Sequence, residues 1–295
     1  MPKLTTPAGI ELAYEVQGDG PPVVMIMGLG AQLVLWPQEL VDAIAAAGFR
    51  TIRFDNRDIG QSAWFDHLGV PNNPKLLARR LAGLSVDAPY NLSAMASDTI
   101  GLLDTLGIAR AHLIGASLGG MIAQTVAIEH PQRVASLTSI MSSAGNLAAF
   151  AVHPRALKQM LGKPPTNREE YVERIVTLFR GHAGTHPYDA VRMAELAGLQ
   201  YDRGYHPQGF ARQFAAILGS GSRVERLKTV AAPTLVMHGT HDPLVPISAG
   251  RLVAASIPGA TFVPIDGMGH ELPRPIWPQV TAAVTAHMEK AGRAA

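Results

Sequence analysis

The chain of 295 residues reads as an α/β protein: a mostly parallel central sheet, helices on both faces, and a helical insertion ahead of the last strands. Three observations carry this reading. Short, nearly continuous apolar runs recur along the chain, segments of helical period lie between them, and the strand signal vanishes over one long stretch. Parallel strands are covered on both sides by their crossover helices, so they read as unbroken apolar runs rather than as alternating ones.

The elements follow in chain order. Ile10, Leu12, Tyr14 and Val16 alternate with polar or small residues, which is the period of a half-solvated strand, and an early antiparallel edge strand is expected there. The apolar runs at 22–28, 49–55, 111–117, 134–141, 233–240 and 260–266 are bounded by Gly, Pro or Asp and are read as buried strands. Helices are expected at 36–47, 91–108, 118–130, 247–256 and 276–290. In the clearest of these, Leu92, Met95, Ala96, Thr99, Ile100, Leu103 and Leu106 follow helical spacing and Gly107 marks the stop. Between about 143 and 226 come "NREEYVERIVTLFRGH", "PYDAVRMAELAGLQ" and "PQGFARQFAAIL", three helical stretches separated by Gly and Pro. The chain is accordingly divided into a core of residues 1–142 and 226–295 and a helical cap of residues 143–225. In open parallel sheets ligands bind outside the carboxyl ends of the strands, so the cap is expected over that edge. There is no internal repeat to suggest a solenoid.

Composition narrows the function classes. Apolar residues make up 47% of the chain and charged ones 16%, which fits a large packed core and argues against disorder. The 25 basic and 23 acidic side chains nearly balance and form no basic track, so nucleic acid is not an expected partner. The absence of cysteine rules out disulfides and thiolate metal sites, and no metal or cofactor is expected. The N-terminus lacks a long apolar stretch and no segment approaches the length of a spanning helix, so a cytoplasmic protein without a transmembrane segment is expected.

Gly115-Ala116-Ser117-Leu118-Gly119 matches the Gly-x-Ser-x-Gly elbow, in which a sharp strand-to-helix turn lifts a serine clear of the backbone. Alone the pattern is unspecific. Its context gives it weight: "AHLI" reads as a strand before it and "LGGMIAQTVAIEHP" as a helix after it, whereas a plain Gly-rich turn with a capping serine would need neither. A serine hydroxyl is a weak nucleophile and needs an imidazole, itself oriented by a carboxylate. Of the 11 histidines, His270 in "DGMGHELP" follows the last expected strand in a Gly-flanked loop that can reach back over the sheet edge. His112 and His238 lie within strand runs, and His241 precedes Asp242 on a loop. Asp242 in "GTHDPLVP" is the leading acid, although an aspartate before proline is also a common turn or cap residue. Asp266 and Asp58 are its rivals. The loop "SSAGN" after the strand at 134–141 offers no carboxylate, and the order Ser117, Asp242, His270 is one in which such triads occur.

With these motifs in view, "MGLGAQLVLWP", "RFDNRDIGQS", "GASLGG", "HGTHDPLVP" and "GMGHELP", the sequence resembles the α/β-hydrolase superfamily and, more narrowly, the aclacinomycin methylesterase-like serine carboxylesterases. The motifs span residues 22–142 and 226–290 and leave the cap unmatched. The resemblance implies an α/β-hydrolase fold and a small-molecule ester substrate cleaved through an acyl-enzyme on Ser117, with Asp242 and His270 completing the triad. It implies an oxyanion hole built from the backbone N–H groups of Leu118 and Leu29. Where relatives carry His-Gly before the second donor, this chain has Met27-Gly28, which keeps the donor and removes a side chain that braces the loop. "GLGA" read as a dinucleotide loop would need glycine at 33, where Leu33 stands. "DNRDIGQS" resembles the Asp-x-Arg-Gly-x-Gly-x-Ser stretch with Asp58 in place of the first glycine, and its charged residues are read as loop braces. Met160, Met193, Phe179, Phe210 and Phe214 either line an acyl pocket or merely pack amphipathic helices. Two alternatives stay open: other reactions on the same triad, such as lactone opening, carbon–carbon hydrolysis or perhydrolysis, and a ligand receptor on a hydrolase scaffold that barely turns over.

Overall fold

The computed structural model describes residues 1–146 and 162–293. Its centre is an eight-stranded sheet in the order β1-β2-β4-β3-β5-β6-β7-β8, formed by β1 (Lys3–Thr5), β2 (Glu11–Gln17), β3 (Pro22–Ile26), β4 (Arg50–Phe54), β5 (Ala111–Ala116), β6 (Val134–Ile140), β7 (Thr234–Gly239) and β8 (Thr261–Ile265). The pairings β1–β2 and β2–β4 are antiparallel; those from β4 through β3, β5, β6 and β7 to β8 are parallel. The expected antiparallel strand exists, but it is not the edge. The outermost position belongs to Lys3–Thr5, three residues too few to display any period in sequence.

Why the runs are unbroken is visible in β3. Val24 and Ile26 face one core, with Ile52, Phe54 and Leu113, while Val23 and Met25 face a second core on the opposite side, with Ile114, Ile140 and Met237. Successive side chains of a strand point to opposite faces, so both parities must be apolar when both faces are covered. Onto the first face pack α3 (Leu92–Thr105) and α4 (Leu118–Glu129); onto the second pack α1 (Gln38–Ala46), through Leu40, Val41 and Ile44, and the C-terminal helix Trp277–Arg293, through Val280, Val284 and Met288. One helix escaped the sequence pattern: α2 (Asn73–Leu81), started by the Asn72 side chain, which accepts the Lys75 N–H, with a proline in the first turn.

Between β6 and β7 lie α5 (Arg168–His182), α6 (Ala190–Gly204), α7 (Pro207–Gly219) and the short α8 (Val224–Leu227), followed after β7 by α9 (Ile247–Ser256) and finally α10 (Trp277–Arg293). No helix among the described residues is long and apolar enough to cross a membrane.

The strand order reverses its direction of growth at β3. The chain first adds β4 on one side of it and then returns to place β5 on the other. Loops leaving the carboxyl ends of β3 and β5 therefore part from each other and open a crevice. Leu29 follows β3 and Ser117 follows β5, so both stand at this opening.

Candidate active site

Ser117 joins β5 directly to α4 with φ 54° and ψ −118°, a region that L residues avoid and that costs about 1–3 kcal/mol. The surroundings leave no alternative. A Cβ on Gly115 would collide with the Gly119 carbonyl, and one on Gly119 would collide with the Ile26 carbonyl, so only glycine lets helix, strand and neighbouring strand approach this closely. The turn is then pinned by its own backbone. The Ser117 N–H donates to Ile140 O at 2.9 Å, and its carbonyl accepts from Gly120 N at 2.9 Å and from Ser142 Oγ at 2.7 Å.

His270 Nε2 lies 3.0 Å from Ser117 Oγ, and His270 Nδ1 lies 2.7 Å from Asp242 Oδ2. Asp242 is buried, and its other oxygen accepts the N–H groups of Leu244 at 2.9 Å and Val245 at 2.8 Å. Burial raises its pKa, but the charge and hydrogen bond of His270 and the Val245 N–H outweigh this and hold the carboxyl below its ordinary value. One imidazole nitrogen thus faces an acceptor that stays ionised, which leaves the other free to receive a proton from the serine. The loop bearing His270 is fixed by the end of α5 and the segment after it: His270 N–H donates to His182 O at 2.7 Å and Thr185 N–H to Gly267 O at 2.8 Å. Sequence reasoning missed this contact, because nothing at position 182 signals a partner in a loop so far along the chain.

The rival residues have other partners. His112 Nδ1 meets Ser136 Oγ at 2.8 Å, His241 pairs with Thr240, and His238 Nε2 meets Val245 O at 2.9 Å while lying 3.6 Å from Asp242 Oδ2. Asp266 accepts from Thr240 Oγ1 at 3.1 Å. Asp58 takes a two-pronged bond from Arg212, at 2.7 and 2.9 Å, together with Tyr90 Oη at 2.8 Å and Phe65 N at 2.8 Å. Its φ of 70° explains why the residue matching a family glycine is an aspartate here: short polar side chains tolerate the left-handed region when they bond locally.

Leu29 and Leu118 flank the serine, and among the described residues neither N–H donates a hydrogen bond. Gly28 lies against Ser117: a Cβ on it would approach the Ser117 Cβ to 3.2 Å. The loop after β3 is braced from several sides. Asn56 Nδ2 donates to Met27 O at 3.0 Å, Gln213 Oε1 accepts from Gly30 N at 3.0 Å, and Asp55 Oδ1 accepts from Leu33 N at 2.7 Å. Gln213 also donates to Arg57 O at 2.8 Å, so a residue of α7 holds both loops at once.

Above Ser117 and His270 is a cavity of about 720 Å³, walled mainly by apolar side chains, among them Met141, Ile175, Leu178, Leu196 and Trp277. Of the residues expected to line an acyl pocket or to pack helices, Phe179, Met193 and Phe210 reach this cavity. Phe214 packs into the core on the first face of the sheet instead. Met160 lies outside the described residues.

Known proteins share this architecture. The model of the α/β hydrolase fold family matches residues 21–273. Rhodomycin D methylesterase DnrP of Streptomyces peucetius is 30% identical over 292 residues, covering 92% of this chain and 91% of that protein. The corresponding DauP of Streptomyces sp. strain C5 is 28% identical with the same coverage. Among solved structures, the enol-lactonase from Burkholderia xenovorans LB400 superposes with a TM-score of 0.75 at 25% identity, covering 98% of this chain and 100% of that one.

Proposed function

The chain belongs to the α/β hydrolase fold family, and we propose that within it the protein is a cofactor-free serine carboxylesterase in which Ser117, His270 and Asp242 form the catalytic triad. The observation that carries this is the unbroken relay from Asp242 through His270 to a strained serine at the floor of a cavity. Ser117 Oγ attacks the ester carbonyl as His270 takes its proton, and the imidazolium is steadied by Asp242. The N–H groups of Leu29 and Leu118 receive the oxyanion, each such donor contributing about 3–4 kcal/mol to the transition state. Collapse expels the alcohol, which takes the proton from His270, and leaves an acyl-enzyme. Water, deprotonated by the same imidazole, then releases the acid and restores the serine.

Residues 143–225 are the cap in this reading, supported by the cavity-lining side chains of α5, α6 and α7. The cavity volume and its apolar walls favour small to medium substrates with an apolar body, and the methylesterase relatives favour a methyl ester as the leaving side. Lactone opening on the same triad is the second reading, favoured by the enol-lactonase neighbour. Turnover of a panel of methyl esters, aryl esters and lactones separates the two. Rates concentrated in the acyclic esters support the first reading, rates concentrated in lactones support the second, and no turnover of any member contradicts both.

A further inference from the structure

The residue after the proposed base, Glu271, carries a carboxyl group that the mechanism above does not use. It is buried, with 8% of its surface exposed, and it lines the same cavity as Ser117 and His270. Among the described residues it has no hydrogen-bond or ion-pair partner, in a protein whose other buried carboxylates are engaged: Asp55 with Arg203, Asp58 with Arg212, Asp98 with Arg57 and Asp242 with His270. An unpaired buried carboxylate is costly, and any apolar side chain would suit this wall better. The arginines among the described residues of the wall are engaged with other groups, Arg174 donating to Lys163 O at 2.5 Å. Arg192 and Arg274 both bind Glu39, at 3.1 and 3.4 Å, with their guanidinium groups over the Trp277 ring. Tyr188, which lines the same cavity, donates its hydroxyl to Val176 O at 2.8 Å.

We propose that Glu271 is the anchor for a protonated amine on the substrate, so that the preferred esters are those of amino-bearing molecules whose ammonium group sits a few bonds from the scissile carbonyl. The proposal rests on the ester-hydrolase reading for the reaction but not for the binding. An ammonium supplies both the charge and the N–H donors that the carboxyl lacks, and Glu271 lines the same cavity as Ser117 and His270, so one ligand can meet both the anchor and the reacting centre. Burial pushes the Glu271 carboxyl up to about 7. It is therefore partly neutral in the empty cavity near neutral pH, and a bound cation draws it into the charged form. The other titratable groups around this part of the wall do not imitate that behaviour. Burial holds His182 down to about 4 and pushes Tyr188 up to about 12, and the comparison with Glu271→Gln isolates the contribution of this carboxyl from every other group on the wall.

The test compares two isosteric esters, one ending in a dimethylammonium group and the other in an isopropyl group, from pH 6 to 8. In the unaltered protein kcat/KM favours the amine ester by about tenfold at pH 8, chiefly through KM, and the preference shrinks toward pH 6 as the carboxyl is protonated. In Glu271→Gln the ratio falls to near one at every pH. A ratio near one in the unaltered protein, or a preference that survives in Glu271→Gln, overturns the proposal. Calorimetric titration with an alkyldimethylamine that has no ester tests the anchor without turnover. Binding that is lost in Glu271→Gln supports it even if no ester proves to be a substrate, and no binding to the unaltered protein overturns it. Melting curves of the variant ensure that folded protein is compared.

Discussion

The carboxyl edge of the sheet and the junction beneath α6 and α7 hold their charged residues in opposite ways. At the sheet edge, Ser117, His270 and Asp242 are placed by backbone: a glycine-enforced turn, N–H groups on one oxygen of Asp242, and a carbonyl that receives the His270 N–H. At the junction the loop 55–62 is placed by side chains. Arg212 clamps Asp58 and also reaches Asp66 at 2.8 Å, Arg203 reaches Asp55 at 3.0 Å, and Arg57 grips Asp98 at 2.6 and 2.7 Å. Asp55, Asp58 and Asp98 are each paired with an arginine at the junction, whereas among the described residues the edge leaves the Leu29 and Leu118 N–H groups and the Glu271 carboxyl without partners. The junction acids thus pair with arginines of other elements, whereas at the edge Asp242 is held by His270 and backbone N–H groups and Glu271 by no described residue.

The contrast predicts different kinds of damage. Asp242→Asn removes the acceptor that fixes the imidazole tautomer and lowers kcat by about 10⁴-fold, with a melting temperature that changes little; a steady-state assay beside a thermal scan measures both. A large melting shift with kcat preserved would place Asp242 with the structural acids. Arg212→Met does the reverse. It strands Asp58 as a buried, uncompensated charge and destabilises by about 3–5 kcal/mol, read as a fall of about 10 °C in melting temperature, while the folded fraction keeps far more turnover than Asp242→Asn. Gln213→Leu tests a side chain that spans both regions. Losing its bonds to Gly30 and Arg57 costs about 1–3 kcal/mol and, by loosening the Leu29 loop, lowers kcat about tenfold.

The smallest effect concerns Glu271 in the absence of ligand. Its folded pKa is raised, to about 7 from 4.5, so the folded state holds this proton more tightly than the unfolded one. The stability it confers is complete below about pH 4.5 and is lost as pH rises toward 7, by at most about 3 kcal/mol. Glu271→Gln should flatten the decline in melting temperature between pH 5 and 8. An unchanged slope would mean that the carboxyl is not buried as described. Asp242 runs with the opposite sign, since its pKa is lowered: its contribution is present above its ordinary pKa and disappears only in stronger acid.

The same division governs what was legible in the sequence. The parallel strands, the elbow and the carriers of the three proposed triad groups were readable because backbone-built features leave local marks: unbroken apolar runs, glycines two residues either side of Ser117, Gly269 before His270 and Pro243 after Asp242. For the loop after β3 that is proposed to supply an oxyanion donor, the sequence shows the Gly-rich turn but not its support. Asn56, Gln213 and the carbonyl of His182 act over separations that no local pattern records. The strand Lys3–Thr5 is too short to show a period, and α2 carries its start in an asparagine cap that reads equally as a turn. Nothing in the sequence marks Glu271; its burial and the absence of a partner among the described residues set it apart.

The central claim is that Ser117 becomes acylated. Rapid quenching during turnover of an activated ester, followed by intact-mass measurement and peptide mapping, reads this directly. The account predicts one acyl group per chain, located on Ser117, absent in Ser117→Ala and accumulating in a burst before steady release of acid. Turnover with an acyl group on another residue, or sustained turnover in Ser117→Ala, would contradict it.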